Sequence, residues 1–100
     1  MLLIRAMMTL YQLRKCPWCA AVRQALENVG QPYHPVQVPY ERDERSEVLR
    51  LTDQALVPVL VDGEQVLHGS RRVVAYLYEQ YGDSVKRERA AELRADLSGV

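Results

Sequence analysis

The sequence lacks several features that would settle its class at once. Only two of its 100 residues are cysteine, and 13 basic and 13 acidic residues leave no net charge. A neutral chain without a long run of one charge lacks the electrostatic signature of a nucleic-acid-binding protein. No apolar run approaches the ~18–20 residues that span a bilayer. We therefore expect neither a nucleic acid nor a membrane as a partner.

The first ten residues also lack the features of a targeting signal. Their apolar cluster is interrupted by Arg5, and no small-residue cleavage site follows. We interpret residues 1–6 as a dispensable extension, with a true start at Met7 or Met8, and we expect a cytoplasmic protein. Two closely spaced cysteines in a cytoplasmic chain argue against a structural disulfide framework.

The sequence does contain a regular alternation of strand and helix patterns. The predicted order is β-α-β-α-β-β-α, with strands at 8–13, 33–38, 58–61 and 65–67 and helices at 19–29, 44–52 and 70–82. A βαβ half implies parallel pairing, and a ββα half implies an antiparallel hairpin. We therefore predict an α/β fold with a four-stranded mixed sheet flanked by helices. Residues 1–100 would form a single domain with its core at 8–82, and 83–100 would add a C-terminal helix.

Several residues define the ends and buried sides of these elements. Gly30 and Gly82 stand where helices should end, Ser70 is a plausible N-cap, and Asp62-Gly63 is the hairpin turn. The prolines around the second strand predict that it lies near an edge of the sheet. The side chains expected to pack are Val48, Leu49 and Leu51 in the second helix and Val85, Ala90, Leu93 and Leu97 in the tail.

The two cysteines, Cys16 and Cys19, have three possible roles. A structural zinc site needs four ligands, and the two histidines, His34 and His68, are spaced unlike those of any compact finger. A structural disulfide would close a loop too small to restrict the unfolded chain. Thiol–disulfide chemistry is favoured, and no metal is expected.

The position of the cysteines supplies a mechanism for redox chemistry. Cys16 should lie where the first strand ends and a helix begins, so that free N–H groups and the helix dipole favour its thiolate. Pro17 suits the first helical turn, and Lys15 adds positive charge. Cys16 is the expected nucleophile and Cys19 the resolving thiol, while Trp18 offers an exposed apolar platform to a substrate.

Two segments resemble a known family. YQLRKCPWCAAVRQALENVG resembles the active-site segment of glutaredoxins. ALVPVLVDGEQVLHGSRRVVAYLYEQYG resembles their later half and, even more closely, the N-terminal domain of glutathione S-transferases. Together they cover about residues 9–82. The resemblance implies a thioredoxin-like fold and a dithiol–disulfide oxidoreductase that uses glutathione or a similar low-molecular-weight thiol, with no tightly bound cofactor.

The resemblance also implies a glutathione-binding site. Pro58 matches the family's cis-proline, and Val57 matches the residue whose main chain pairs with the cysteinyl part of glutathione. Ser70 matches the serine that receives the γ-glutamyl carboxylate at a helix N-terminus. The chain departs from the pattern at Gly69 and Arg71, where relatives carry the acid that pairs with the ammonium of glutathione. An arginine still suits an anionic thiol.

The leading hypothesis is a monomeric glutaredoxin-like enzyme that reduces protein disulfides or mixed disulfides. One alternative is a protein that binds an iron–sulfur cluster between subunits through Cys16, although Pro17 stiffens the loop that would surround the cluster. Another is a thioredoxin-like dithiol reductase recycled by a flavoprotein. We do not expect a whole glutathione S-transferase, since such enzymes carry a second, all-helical domain.

Overall fold

The computed structural model describes residues 7–98. The proposed extension before Met7 lies outside these residues. Nine elements follow one another within residues 7–98, and their order confirms the predicted alternation. They are β1 (Met8–Gln12), α1 (Pro17–Asn28), β2 (Tyr33–Gln37), a 3₁₀ turn (Arg42–Glu44), α2 (Ser46–Thr52), β3 (Val59–Asp62), β4 (Gln65–His68), α3 (Ser70–Tyr81) and α4 (Ser84–Ser98).

The four strands form one mixed sheet in the order β2-β1-β3-β4. β1 runs parallel to β2 and antiparallel to β3, so that Leu10 lies between Pro35 and Leu60. β3 and β4 form the predicted antiparallel hairpin. The strand with the prolines is an edge strand, as expected, because an edge tolerates a residue that cannot donate a hydrogen bond. The sheet thus confirms the predicted fold class.

Side-chain alternation along the strands gives the sheet two apolar faces. Leu10 and Leu60 point to one face and pack with apolar residues of α1 and α3 in the larger core cluster. Val59 points to the other face and packs with Val48 of α2. The prediction that Leu49 is also buried is wrong: its side chain is 38% exposed. α2 is only seven residues long, and Val48 is the one residue of this helix that is fully buried.

Glycine governs two helix boundaries. Gly30 has a φ of 67° and follows the C-cap of α1, where its N–H and that of Gln31 bond to carbonyls in the last turn. Gly69, with a φ of 87°, is the N-cap of α3. The predicted N-cap, Ser70, is instead the first helical residue. Glycine adopts this positive φ readily, which moves the cap one residue upstream.

α4 confirms the predicted C-terminal helix and packs against α3. Ala90 and Leu93 meet the buried Ala75 of α3 in a small apolar cluster. The expected contact of Val85 is absent, since this side chain is 70% exposed in the first turn of α4. Only a narrow apolar stripe of this helix faces the rest of the protein. Among residues 7–98, no helix has the length and apolar character needed to cross a bilayer.

Candidate redox site

The two cysteines lie at the junction of β1 and α1, as predicted. A turn after β1 brings the chain to Cys16, which has an extended conformation and is the N-cap of α1. Pro17 occupies the first helical turn, where its missing N–H leaves no acceptor unsatisfied. The N–H of Cys19 donates to Cys16 Sγ over 3.4 Å. The sulfur atom of Cys16 thus accepts a hydrogen bond from one of the N–H groups that a helix leaves free in its first turn.

The two sulfur atoms have different environments. Cys16 is partly exposed, whereas Cys19 is fully buried. The pKa of the Cys19 thiol is raised from 9.0 to about 11, mainly by burial. The hydrogen bond and the charge of Cys16 also raise this pKa, whereas the hydrogen bond to the Leu13 main chain and the charge of Arg23 lower it. Cys19 is therefore a protonated thiol at neutral pH, and Cys16 is the accessible sulfur.

Arg23 was not singled out from the sequence, yet it braces the turn before Cys16. Its Nη1 donates to Gln12 Oε1 over 2.6 Å, and its Nη2 donates to the carbonyl oxygen of Arg14 over 3.1 Å. One side chain of α1 thereby holds both the end of β1 and the turn that follows. The only signal in the sequence is its helical spacing four residues after Cys19, which many structural arginines share.

An open cleft of about 780 Å³ lies beside Cys16. Cys16, Trp18 and Val57 all line this cleft, so that the structure brings three of the predicted site residues together. Trp18 is 65% exposed, as expected. Leu56 also lines the cleft, as does the segment between β2 and α2, from which Tyr40, Glu41, Arg42, Asp43 and Arg45 contribute. We call this space the Cys16 cleft.

The Val57–Pro58 peptide bond is cis, which confirms the expectation for Pro58. Pro58 is buried, whereas Val57 is partly exposed in the Cys16 cleft. Val57 lies two residues before β3 begins at Val59. Val57 thus lies close to the sheet and lines the same cleft as Cys16. A second, smaller cavity of about 440 Å³ also borders Cys16 and includes Lys15 among its lining residues.

A shallow groove connects Trp18 with the start of α3. Its volume is about 370 Å³, and Trp18, Ser70 and Arg71 line it together with Leu93 of α4. We call it the Trp18 groove. Arg71 Nη1 donates to Asp96 Oδ2 of α4 over 3.0 Å. Gly69 is not among the described residues that line the cleft or the groove. It is the N-cap of α3. Trp18 is common to the cleft and the groove, so the two spaces are neighbours.

Metal ligands are not grouped in this region. Within residues 7–98, no cluster of three or more His, Cys, Asp or Glu side chains lies close enough together to hold a metal ion. Two free thiols lie at the N-terminal end of α1 beside an open cleft. The fold and this site together define a thioredoxin-like domain.

Comparison with known proteins specifies the family. The profile of the glutathione S-transferase N-terminal domain matches residues 10–85. The chain therefore belongs to the glutathione S-transferase N-terminal domain family. Glutathione S-transferase D6 of Drosophila melanogaster is 34% identical over 77 residues, which are 75% of this chain and 36% of that protein. The chain thus spans about a third of the length of the curated relative that it matches.

Solved structures show the same relationship. A diazinon-metabolizing glutathione S-transferase of the silkworm Bombyx mori has a TM-score of 0.72 and 26% identity, over 80% of this chain and 42% of that one. Maize glutathione S-transferase I, in complex with an atrazine–glutathione conjugate, has a TM-score of 0.74 and 28% identity, over 84% of this chain and 40% of that one. Both similarities confirm the thioredoxin-like fold of the transferase N-terminal domain.

Proposed function

We propose that this protein is a glutaredoxin-like dithiol–disulfide oxidoreductase that acts through the CPWC motif. The observation that carries the proposal is the position of Cys16: it is partly exposed in an open cleft, at the N-cap of α1, with a helix N–H directed at its sulfur. Such a sulfur is accessible to a substrate and lies at a helix N-terminus, a position typical of nucleophilic cysteines. Cys19 lies three residues further on, close enough to resolve a mixed disulfide.

The reaction is a sequence of two thiol–disulfide exchanges. The Cys16 thiolate attacks one sulfur of a substrate disulfide, whose S–S bond breaks, and the released thiolate takes a proton from water. The Cys19 thiolate then attacks Cys16 Sγ and releases the second substrate thiol. The substrate gains two electrons, and the enzyme is left with a Cys16–Cys19 disulfide. Two molecules of a small thiol restore the dithiol and become a disulfide themselves.

The environment of Cys19 sets the order of these steps. Burial keeps the Cys19 thiol protonated at neutral pH. While Cys16 is free, its charge is a further cause that raises the pKa of Cys19. A mixed disulfide at Cys16 removes that charge, and ionisation of Cys19 then becomes easier. Cys19 is thus held back until Cys16 has reacted. A free small thiol can also release the product, since Cys16 is the more exposed sulfur.

Glutathione is the small thiol that we propose as co-substrate. Family membership supports this choice, because the relatives are glutathione S-transferases. Val57 in the Cys16 cleft and Ser70 and Arg71 in the Trp18 groove would bind its cysteinyl and γ-glutamyl parts. The guanidinium of Arg71 suits the γ-glutamyl carboxylate, although it also pairs with Asp96. Protein disulfides and mixed disulfides are the proposed substrates, in a reducing compartment such as the cytoplasm.

The test is the reduction of a mixed disulfide between glutathione and 2-mercaptoethanol. Wild type should turn it over with glutathione as reductant, Cys16→Ser should be inactive, and Cys19→Ser should keep activity through glutathione alone. Equal rates in wild type and Cys16→Ser would refute the assignment of the nucleophile. Replacing glutathione by another small thiol, or by a flavoprotein reductase, identifies the physiological class of electron donor.

Family membership favours a second candidate, the transfer of glutathione to an electrophile. The two functions differ in their need for the motif, because conjugation consumes glutathione without forming a disulfide. The discriminating measurement is the conjugation of glutathione to 1-chloro-2,4-dinitrobenzene beside the disulfide assay. Conjugation that survives replacement of both cysteines, together with no disulfide reduction, would favour the transferase.

A further inference from the structure

Arg45 is the one charged residue in the buried set of residues 7–98, with 5% of its surface exposed. A buried cation is costly unless each of its donors has a partner. Each of the three guanidinium nitrogen atoms of Arg45 donates a hydrogen bond to a main-chain carbonyl oxygen. Nε donates to the carbonyl oxygen of Pro39 over 2.8 Å, Nη2 to that of Tyr40 over 2.9 Å and Nη1 to that of Ala55 over 2.8 Å.

These acceptors belong to two separate segments of the chain. Pro39 and Tyr40 follow β2, whereas Ala55 precedes β3. Arg45 stands just before α2, between the two segments. One planar side chain therefore joins two irregular segments that share no strand ladder with each other. These three hydrogen bonds all go to main-chain oxygen atoms, so Arg45 restrains the position of the backbone in each segment.

Both segments are walls of the Cys16 cleft. Tyr40 and the residues after it line one side, Leu56 and Val57 line another, and Arg45 itself contributes to the lining. Tyr40 and Leu56 are 81% and 54% exposed, so neither is held by burial of its own side chain. Their positions depend on the backbone that carries them. The hydrogen bonds of Arg45 supply that restraint.

We propose that Arg45 is a positioning residue that sets the width of the Cys16 cleft and so determines how well a disulfide substrate binds. The proposal rests on the oxidoreductase function argued above, since the substrate is the one attacked by Cys16. Arg45 acts through the segments at 39–44 and 55–57. Its loss should weaken binding of the substrate and leave the reactivity of the Cys16 sulfur unchanged.

The informative change is Arg45→Lys, because Arg45→Met would remove all three hydrogen bonds to the two segments at once and could prevent folding. Lysine keeps the charge and the aliphatic stem but presents a single nitrogen, which cannot reach both segments in the same geometry. The matched control is Arg50→Lys in α2. Arg50 is exposed and pairs only with Glu47 of its own helix among the described residues.

Kinetics with a glutathionylated peptide give the first readout. We expect Arg45→Lys to raise KM about fivefold and to leave kcat within about twofold, and Arg50→Lys to change neither. The alkylation rate of Cys16 by iodoacetamide should be the same in all three proteins. An unchanged KM in Arg45→Lys, or a loss confined to kcat, would overturn the proposal.

Hydrogen exchange gives a second readout that requires no substrate. The N–H of Glu44 bonds to the carbonyl oxygen of Glu41, and the N–H of Leu56 bonds to Gln54 Oε1, one in each segment. Both amides should exchange about tenfold faster in Arg45→Lys, while core amides are unchanged. Unchanged exchange at both would overturn the proposal. If wild type reduces no disulfide, the proposed function fails, and hydrogen exchange alone decides the role of Arg45.

Discussion

Arg71, in the first turn of α3, forms an ion pair with Asp96, in the last turn of α4. The pair joins the Trp18 groove to a helix that lies beyond the matched family domain, which ends at residue 85. Both side chains are more than half exposed, at 52% and 58%. Such a surface pair contributes little to stability, about 0–1 kcal/mol. The pair nevertheless matters for binding, because Asp96 neutralises charge that Arg71 would otherwise offer to an anionic ligand.

Asp96→Asn should strengthen the binding of an anionic thiol. The change frees the guanidinium of Arg71 for the γ-glutamyl carboxylate, and we expect KM for glutathione to fall about twofold to threefold at low salt. Glu88→Gln removes the same charge from the same helix and should leave KM unchanged. A rise in KM for Asp96→Asn would instead mean that Asp96 binds the ammonium group of glutathione.

The buried thiol of Cys19 should make stability depend on pH. Well below pH 9.0 the thiol is protonated in the folded and the unfolded chain alike. As the pH rises through 9.0 towards about 11, the unfolded chain loses the proton before the folded chain does. The free energy of unfolding should therefore fall by about 2 kcal/mol across this range. Urea denaturation of wild type and Cys19→Ala across this range should converge, whereas a constant difference would contradict the assignment.

The same ionisation should govern the dithiol step. Formation of the Cys16–Cys19 disulfide from a mixed disulfide at Cys16 requires the thiolate of Cys19, whose pKa burial raises. Stopped-flow measurement of this step should show a rate that increases with pH throughout the neutral range. The monothiol reaction of Cys19→Ser should not share that dependence on the buried thiol, and identical pH profiles would contradict the prediction.

Trp18 should contribute to binding of large substrates. Its exposed indole lines both the Cys16 cleft and the Trp18 groove, and an aromatic platform adds about 0.5–1.5 kcal/mol beyond simple burial. Trp18→Ala should raise KM for a glutathionylated peptide about fivefold, and Trp18→Phe should restore most of the loss. Val85→Ala, on the exposed side of α4, is the control. An unchanged KM in Trp18→Ala would show that the ring serves only packing.

Asp62 joins the hairpin to α3 and should matter for stability. Its Oδ2 accepts hydrogen bonds from the hydroxyl groups of Tyr76 over 2.7 Å and Tyr81 over 2.5 Å. Hydrogen bonds to a charged acceptor contribute about 1.5–3 kcal/mol each, and Asp62→Asn keeps the turn preference while weakening both. We expect the free energy of unfolding to fall by about 1–2 kcal/mol in thermal denaturation. Glu64→Gln in the same turn should be neutral.

The structural features that depend on residues close together in the sequence could be predicted from it. The position of Cys16 before a helix follows from a strand pattern, Pro17 and a helical repeat, all within a few residues. The edge position of β2 follows from its prolines. The shift of the α3 cap from Ser70 to Gly69 depends on one backbone angle, for which the residue types give no unique answer. A boundary error of one residue is the usual size for such reasoning.

The residues that sequence reasoning missed act across the chain. Arg45 reaches segments five or more residues away on both sides, and Asp96 lies 25 residues from Arg71. Helical periodicity alone does not distinguish the exposed Arg50 from the buried Arg45. The difference appears only when the fold closes two segments over the guanidinium and leaves it no water.

Trp18 is the single tryptophan of the chain, and it lies two residues from Cys16. All the indole emission of this chain therefore arises beside the two cysteines. The wavelength and intensity of that emission report directly on the surroundings of the CPWC motif during reduction, oxidation and ligand binding. Measurement of Trp18 fluorescence can therefore follow changes at the motif in real time without an added label.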